Sequence, residues 1–269
     1  MKPTCLLLAA LLALAPSAQA QQNIEISSTF TDFTSWTLLG SATAQNQMPG
    51  NGFSYSDLIL TSPGTGEQAG AGWAPQALVL DVDQSFHVGF NFFIAPGSIR
   101  GDGFTFTLST ATGLGNAGSG LGYEGLDSSL AFAVDTFNFE GDPVSPSVQL
   151  LQNGSVTPLA VTETGLGDAI RDPNFQWWAT LDWTPSGLED HQGLLTGTIS
   201  HIDLGSFSVQ AQMDLSNLAG EPVFYGFTAS NGLADDGHFI TSAVAVPEPA
   251  PWLLILAGVG LALRFTRRL

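Results

Sequence analysis

The residues Gly101-Asp102-Gly103-Phe104-Thr105-Phe106-Thr107-Leu108 begin as a polar turn and continue as a strict alternation of large apolar and small polar side chains. Successive side chains of a β-strand point to opposite faces, so residues 104–108 place two phenylalanines and a leucine on one face and two threonines on the other. We therefore expect a strand in a sheet that has one buried face and one face in contact with solvent.

Similar patterns recur along the chain, and no stretch between residues 21 and 246 has the apolar spacing of a long amphipathic helix. Glycine, proline, asparagine and aspartate separate the segments. The predicted strands are residues 86–94, 104–108, 130–137, 178–183, 196–202, 207–213, 223–229 and 239–246. Strands without helices can bury their apolar faces only against another sheet, so the sequence predicts an all-β sandwich of two antiparallel sheets.

The first 20 residues have the features of a secretory signal peptide. Lys2 precedes an apolar run, Leu6–Leu14, and the small residues of Ala18-Gln19-Ala20 form a cleavage site. Cys5 is the only cysteine and lies in this segment, so we expect an exported domain without disulfides, although its compartment permits them.

The C-terminal residues 247–269 combine a Pro-Glu-Pro motif, an apolar run from Trp252 to Leu263 and a tail with three arginines. The run is shorter than the roughly 20 residues that span a bilayer as a helix. The segment resembles the PEP-CTERM sorting signal of Gram-negative bacteria. That resemblance implies a short hydrophobic helix, transient contact with the membrane, processing by an exosortase-type enzyme and a cell-surface or extracellular location. An ordinary C-terminal anchor is the alternative.

Residues 21–246 form one predicted domain that is strongly acidic. It contains 23 aspartates and glutamates but only two bases, Arg100 and Arg171, which gives a net charge of −21. Phosphate binding requires clustered lysines and arginines, so nucleic acid is excluded as a partner.

Two further polar segments follow the first strand. The glycine-rich stretch Asn116–Tyr123 is typical of a connector or of a loop that approaches a ligand closely. Residues 135–142 offer carboxylate, amide and backbone oxygens, the ligands that Ca²⁺ prefers. A polar hairpin closed by Asp142-Pro143 would explain the same residues without a metal.

In order and content, residues 101–143 resemble the legume-type (L-type) lectin domain, and the resemblance covers residues 24–246. It implies a concanavalin-like jelly roll with a sugar site. Asp102, preceded by a cis peptide bond, would accept hydrogen bonds from sugar hydroxyls, and the Phe137 ring would support a sugar face. The other sugar contacts that the resemblance implies are the backbone of Gly120 or Gly118, the Asn138 amide, and the main-chain N–H groups of Leu233 and Ala234.

The same resemblance implies one Ca²⁺, held by the Asp135 and Asp142 carboxylates, the Phe137 carbonyl and the Asn138 side chain. The family's second, transition-metal site needs a Glu and a His where this chain has Ala133 and Ser147, so we expect that site to be absent. The loop is also one residue shorter than a common plant version, and Glu140 is a possible additional ligand.

Other conspicuous residues have simpler interpretations. We expect His238 to be structural, Asp235 and Asp236 to face solvent, and the four tryptophans of the central region to fill the core or cover its back. Those tryptophans are Trp73, Trp177, Trp178 and Trp183. The remaining histidines, His87, His191 and His201, lack metal-ligand spacing.

Hydrolysis is not expected. The jelly roll also occurs in β-glucanases, whose Glu-x-Asp-x-x-Glu pattern supplies two catalytic carboxylates. Glu140-Gly141-Asp142 begins that pattern, but no second glutamate follows. Together, the two resemblances imply a secreted or surface-sorted, calcium-dependent protein that binds cell-surface or exopolysaccharide glycans. A structural extracellular-matrix protein that has lost sugar binding is the alternative.

Overall fold

The computed structural model describes residues 22–25, 32–47, 55–139, 141–172, 176–187 and 190–241. The predicted signal peptide and sorting segment lie outside these ranges. No helix within them is long and apolar enough to span a membrane. The helices found there are three short 3₁₀ turns, Phe33–Ser35, Gly118–Gly120 and Gly167–Arg171.

The described structure also contains sixteen strands, numbered here in chain order and joined by turns and loops. They are β1 (Gln22–Glu25), β2 (Thr37–Gly40), β3 (Thr43–Gln47), β4 (Tyr55–Thr61), β5 (Ala69–Trp73), β6 (Leu78–Val79), β7 (Phe86–Ala95), β8 (Gly103–Ser109), β9 (Ser129–Asp135), β10 (Ser147–Gln152), β11 (Ser155–Glu163), β12 (Trp177–Pro185), β13 (Gln192–His201), β14 (Gly205–Asp214), β15 (Pro222–Ser230) and β16 (Gly237–Thr241). The last predicted strand is described only as far as Thr241, since residues 242–246 lie outside the described ranges.

The strands form two packed sheets, which confirms the predicted sandwich. The back sheet has the order β14-β13-β12-β7-β16-β4-β3, and β1 also pairs with β7. The front sheet has the order β11-β10-β9-β8-β15-β5-β2, and β6 also pairs with β15. The β1–β7 pair is parallel, whereas the other described pairs are antiparallel.

Aromatic side chains fill the space between the sheets. The ring of Phe90 on the back sheet lies 5.8 Å from that of Phe106 and 5.0 Å from that of Phe227, both on the front sheet. Three of the four tryptophans, Trp73, Trp177 and Trp183, are at most 1% exposed, as expected. Trp178 is only half-buried and lies across Gly89, where a Cβ would come within 2.8 Å of the indole ring.

The outer face of the front sheet is also buried along its central strands β8 and β9, so the expectation of a solvent-facing threonine face is wrong there. The side chains of Thr105 and Thr107 are 0% exposed, and their hydroxyls lie 2.7 Å apart. Thr105 also bonds the hydroxyl of Thr228 at 2.8 Å, and Thr228 donates to the Leu121 carbonyl at 2.8 Å. The loop that carries Leu121 therefore covers this face, and hydrogen bonds compensate the buried hydroxyls.

Candidate functional site

Four loops meet at one end of the front sheet. Three of them, residues 96–102, 136–146 and 231–236, connect strands at that end. The fourth, residues 110–128, leaves the opposite end and runs along the outer face of the sheet. Ser230 fixes it at the meeting point by donating a hydrogen bond of 2.7 Å to the Gly118 carbonyl.

Asp102 lies at this meeting point, directly before β8. The Gly101–Asp102 peptide bond is cis, which confirms the prediction. The side chain is only 5% exposed, and its Oδ2 accepts a hydrogen bond of 2.6 Å from the Gly232 amide. Burial raises the pKa of the Asp102 carboxyl, the Gly232 N–H opposes that shift, and the nearby charges of Asp142 and Asp236 add to it. The carboxylate is thus fixed in orientation and poorly solvated.

Two glycines leave the space beside this carboxylate open. A Cβ on Gly118 would lie 3.7 Å from Asp102 Oδ2, and a Cβ on Gly232 would lie 3.4 Å from it. Gly120 is placed differently: its N–H donates to the Ala117 carbonyl at 3.2 Å, and a Cβ there would lie 2.9 Å from the side chain of Asn116. Of the two glycines predicted from the sequence, Gly118 is therefore the one beside Asp102.

Phe137 and Ala234 flank the site on the side of Gly101. A Cβ on Gly101 would come within 2.8 Å of the Phe137 Cβ and 3.1 Å of the Ala234 Cβ, so only glycine fits between them. Phe137 is half-buried, whereas Leu233 is 86% exposed. The structure thus brings Asp102, Gly118, Phe137 and Ala234 together and leaves the Leu233 side chain in solvent.

The predicted metal ligands lie in the neighbouring loop, after β9. Asp135 is 8% exposed; its Oδ1 accepts from the Phe137 amide at 3.0 Å and its Oδ2 from the Gln149 side-chain amide at 3.0 Å. Asp142 Oδ2 accepts from the Phe139 amide at 3.1 Å, and Asn138 is exposed. Burial, followed by the charges of Asp142 and Asp102, raises the pKa of Asp135 to about 7, against the two hydrogen bonds that it accepts.

These residues provide the oxygen donors that a hard cation prefers. In the described ranges no three His, Cys, Asp or Glu side chains converge as a metal cluster. The predicted set contains only two such side chains, and its other donors are a backbone carbonyl and an amide. Asp135 and Asp142 repel each other, and a cation between them would remove that repulsion. The donor set therefore fits Ca²⁺. Glu140, the possible additional ligand, lies outside the described residues.

The expectation that Asp236 faces solvent is also wrong, because its side chain is 0% exposed. Its Oδ1 accepts from Arg171 at 2.7 Å and from the Gly97 amide at 2.8 Å, and its Oδ2 accepts from the Gly101 amide at 3.1 Å. A buried carboxylate is tolerated when it is paired and hydrogen-bonded. Asp236 thus fixes the loop that carries Asp102, a role that sequence reasoning missed.

Asp235 is half-buried and supports the same loop. Its carboxylate accepts from the Ile99 amide at 2.7 Å and from the Ser98 hydroxyl at 2.7 Å. These bonds lower the pKa of Asp235. The loop 96–102 is therefore held by two consecutive aspartates of the loop 231–236.

The histidines have structural partners. His238 is fully buried, as a structural role requires, and its Nδ1 lies 2.7 Å from the Thr61 hydroxyl. That hydroxyl donates to the Asp236 carbonyl at 2.9 Å, so Nδ1 carries the proton in the His238–Thr61 bond. Burial lowers the pKa of His238 to about 3. His87 and His191 lie against Asp182 and Asp83, and none of these four residues belongs to the loops that meet at Asp102.

Comparison with known proteins places this geometry on a known fold. No protein-family model matches the chain. The solved basic winged bean lectin with Tn-antigen shares 20% identity over 81% of this chain and 94% of its own, with a TM-score of 0.62. The Bauhinia forficata lectin in complex with GalNAc has the same identity and coverage and a TM-score of 0.65. Arcelin-5, a lectin-like defence protein from Phaseolus vulgaris, shares 18% identity over 81% of this chain and 93% of its own, with a TM-score of 0.61. The chain therefore has the fold of the legume L-type lectins.

Proposed function

We propose that this chain is a lectin-like carbohydrate-binding protein whose glycan binds at Asp102. One observation carries the proposal. The Asp102 carboxylate is held by the Gly232 N–H at 2.6 Å where four loops meet, and Gly118 and Gly232 place no side chain over it. Sugar hydroxyls donate well to such a fixed carboxylate, because bonds to a charged acceptor are stronger than neutral ones.

The surrounding residues supply the other contacts that a monosaccharide needs. The half-buried ring of Phe137 offers an apolar surface for one face of the sugar. Backbone groups of Gly118, Leu233 and Ala234 are the proposed polar contacts on the remaining sides, together with the Asn138 amide. The structural neighbours solved with Tn-antigen, GalNAc and galactose support a glycan as the ligand class.

Calcium is the proposed cofactor. Asp135, Asp142, the Phe137 carbonyl and the Asn138 side chain would hold it, and the ion would neutralise the two carboxylates and fix the loop next to Asp102. The Asn138 side chain would then be oriented to donate to the sugar. Glycan binding would therefore depend on the ion, although Asp102 is not one of its proposed ligands.

We further propose a non-catalytic protein that acts outside the cell. Residues 1–20 would direct export, and the PEP-CTERM-like residues 247–269 would direct sorting by an exosortase-type enzyme. The sorted protein would then bind cell-surface or exopolysaccharide glycans. A shallow single site binds a monosaccharide weakly, with a Kd on the order of 1 mM, so many copies on one surface would supply the avidity.

A structural matrix protein without sugar binding is the second candidate. One observation favours it: both oxygens of Asp135 and one of Asp142 already accept hydrogen bonds from the protein, so the loop is satisfied without a ligand.

A polysaccharide pull-down and a glycan array separate the two candidates. Wild type, Asp102→Asn and the control Asp203→Asn, which changes an exposed aspartate of the β13–β14 turn, are compared in calcium and in EDTA. Retention by wild type and Asp203→Asn in calcium, and loss in Asp102→Asn, supports the lectin. If folded wild type retains no glycan in saturating calcium, the lectin proposal is overturned and the matrix protein stands.

A further inference from the structure

Gln149 lies beside the proposed cation site, in the middle of β10, and its side chain is 2% exposed. Its Nε2 lies 3.0 Å from Asp135 Oδ2 and 2.9 Å from Ser147 Oγ. A primary amide has two N–H donors, and these two acceptors use both of them. The side chain is therefore held between the first residue of its own strand and the last residue of β9.

The pairing of β9 with β10 makes room for this arrangement. Ser147 lies directly opposite Asp135, and Gln149 lies directly opposite Ala133. Opposed side chains in an antiparallel pair are close neighbours, so a small residue on one strand leaves space for a long one on the other. The methyl group of Ala133, which is itself fully buried, leaves this space to the Gln149 amide.

The amide completes the fixation of the Asp135 carboxylate. Oδ1 is held by the amide of Phe137 in the site loop, and Oδ2 is held by Gln149 in the sheet. The ion pairs of the two arginines in the domain are made with Asp168 and Asp236. Asp135 is thus oriented by neutral donors from two different parts of the fold.

We propose that Gln149 is a positioning residue for the cation site: its amide holds Asp135 in the orientation that meets the cation and fills the space beside Ser147 and opposite Ala133. The proposal rests on the calcium part of the proposed function. It follows that no transition metal is needed to order Asp135, because both of its oxygens are held by protein donors. Outer hydrogen-bond partners of metal ligands typically change metal affinity 10- to 100-fold when they are removed.

The test uses the full chain after treatment with a chelator and calorimetric titration with Ca²⁺, with and without Mn²⁺. Gln149→Met keeps the length of the side chain and removes both donors; Gln152→Met makes the same change on the same strand without touching Asp135 and is the matched control. We expect one Ca²⁺ per wild-type chain, no effect of Mn²⁺, and a roughly tenfold or larger loss of affinity in Gln149→Met alone.

The outcomes separate the two proposals. If wild type binds no Ca²⁺, the calcium part of the proposed function falls and the role of Gln149 falls with it. If wild type binds and Gln149→Met binds equally well, or if Mn²⁺ raises the Ca²⁺ affinity of wild type, the role of Gln149 alone is overturned. Should Gln149→Met not fold, proton exchange in the wild type decides: slow exchange of the Gln149 side-chain amide and a calcium-dependent shift of its resonances support the proposal, and fast exchange without a shift overturns it.

Discussion

Arg171 donates a hydrogen bond of 2.7 Å to Asp236, and the Asp236 side chain is fully buried. The pair joins the short 3₁₀ turn Gly167–Arg171 to the loop before β16. Through the second oxygen of Asp236, it also holds the Gly101 amide, one residue before Asp102. An ion pair outside the proposed sugar contacts thus helps to fix the loop that carries Asp102.

Removing Arg171 should strongly destabilise the fold. Arg171→Met leaves the buried Asp236 charge without its partner, which typically costs about 3–5 kcal/mol in the free energy of unfolding. Urea denaturation measures this change. Arg100→Met is the control, because Arg100 pairs with the exposed Asp168 at 3.3 Å and exposed pairs contribute about 0–1 kcal/mol. Equal losses in the two variants would contradict a structural role for the buried pair.

Gly118→Ala should strongly reduce glycan retention and lower the free energy of unfolding only slightly. Gly118 has φ +63°, so alanine there costs on the order of 1 kcal/mol, and its Cβ would lie 3.7 Å from Asp102 Oδ2. Gly125→Ala is matched to it: φ is +92° and a Cβ would meet nothing within 4 Å. Pull-down and denaturation of both variants separate the two effects. Retention that falls equally in both variants would show that backbone strain, not blockage of the site, is responsible.

Calcium should raise the midpoint of thermal unfolding. A ligand that binds only the folded state stabilises it by about 2.7 kcal/mol at 100 times its Kd. Asp135→Asn removes one of the two proposed carboxylate ligands and should abolish the shift, whereas Asp203→Asn should keep it. Differential scanning calorimetry in EDTA and in millimolar calcium measures the difference. A wild type without a shift, or a shift that survives Asp135→Asn, would contradict the proposed ligand set.

The strands can be predicted from the sequence because the alternation of apolar and polar side chains is a local pattern. Residues 104–108 predict β8, and the sandwich follows from the need to bury such strands. The burial of Thr105 cannot be predicted in this way, because a distant loop covers its face of the sheet. The Leu121 carbonyl of that loop accepts a hydrogen bond from Thr228. Alternation shows that two faces differ in polarity; it does not show what lies over each face.

The candidate site was predictable only where one segment carries the information. The resemblance of residues 101–143 to the L-type lectin domain predicts Asp102 and the cis bond before it, because both lie in one turn. Asp235 and Asp236 are adjacent and chemically identical, yet only Asp236 is fully buried, because Arg171 lies 65 residues away in sequence and beside it in space. The presence of only two arginines in the domain was the available signal. The contact between Gln149 and Asp135 likewise depends on strand register, which the sequence does not state.

His238 should make stability depend on pH between about 6.5 and 3. Its pKa is lowered from 6.5 to about 3 by burial, so below pH 6.5 the unfolded chain gains a proton that the folded protein does not. The contribution of His238 to the free energy of unfolding is complete above pH 6.5 and decreases by up to about 1.4 kcal/mol per pH unit toward pH 3.

In EDTA, Asp135 acts in the opposite direction. Its pKa is raised from 3.8 to about 7, so the folded protein binds a proton that the unfolded chain does not, and the free energy of unfolding rises as pH falls from 7 to 3.8.

The two slopes oppose each other between pH 6.5 and 5, and substitution should separate them. His238→Asn keeps a donor for Thr61 and removes the titrating ring, so its free energy of unfolding should gain about 2 kcal/mol relative to wild type as pH falls from 6.5 to 5. Asp135→Asn should lose stability over the same range. Urea denaturation in EDTA at four pH values measures both slopes; the slope is the readout, because the smaller side chain lowers the stability of His238→Asn at every pH. Parallel plots of the free energy of unfolding against pH for wild type and His238→Asn would contradict the lowered pKa of His238.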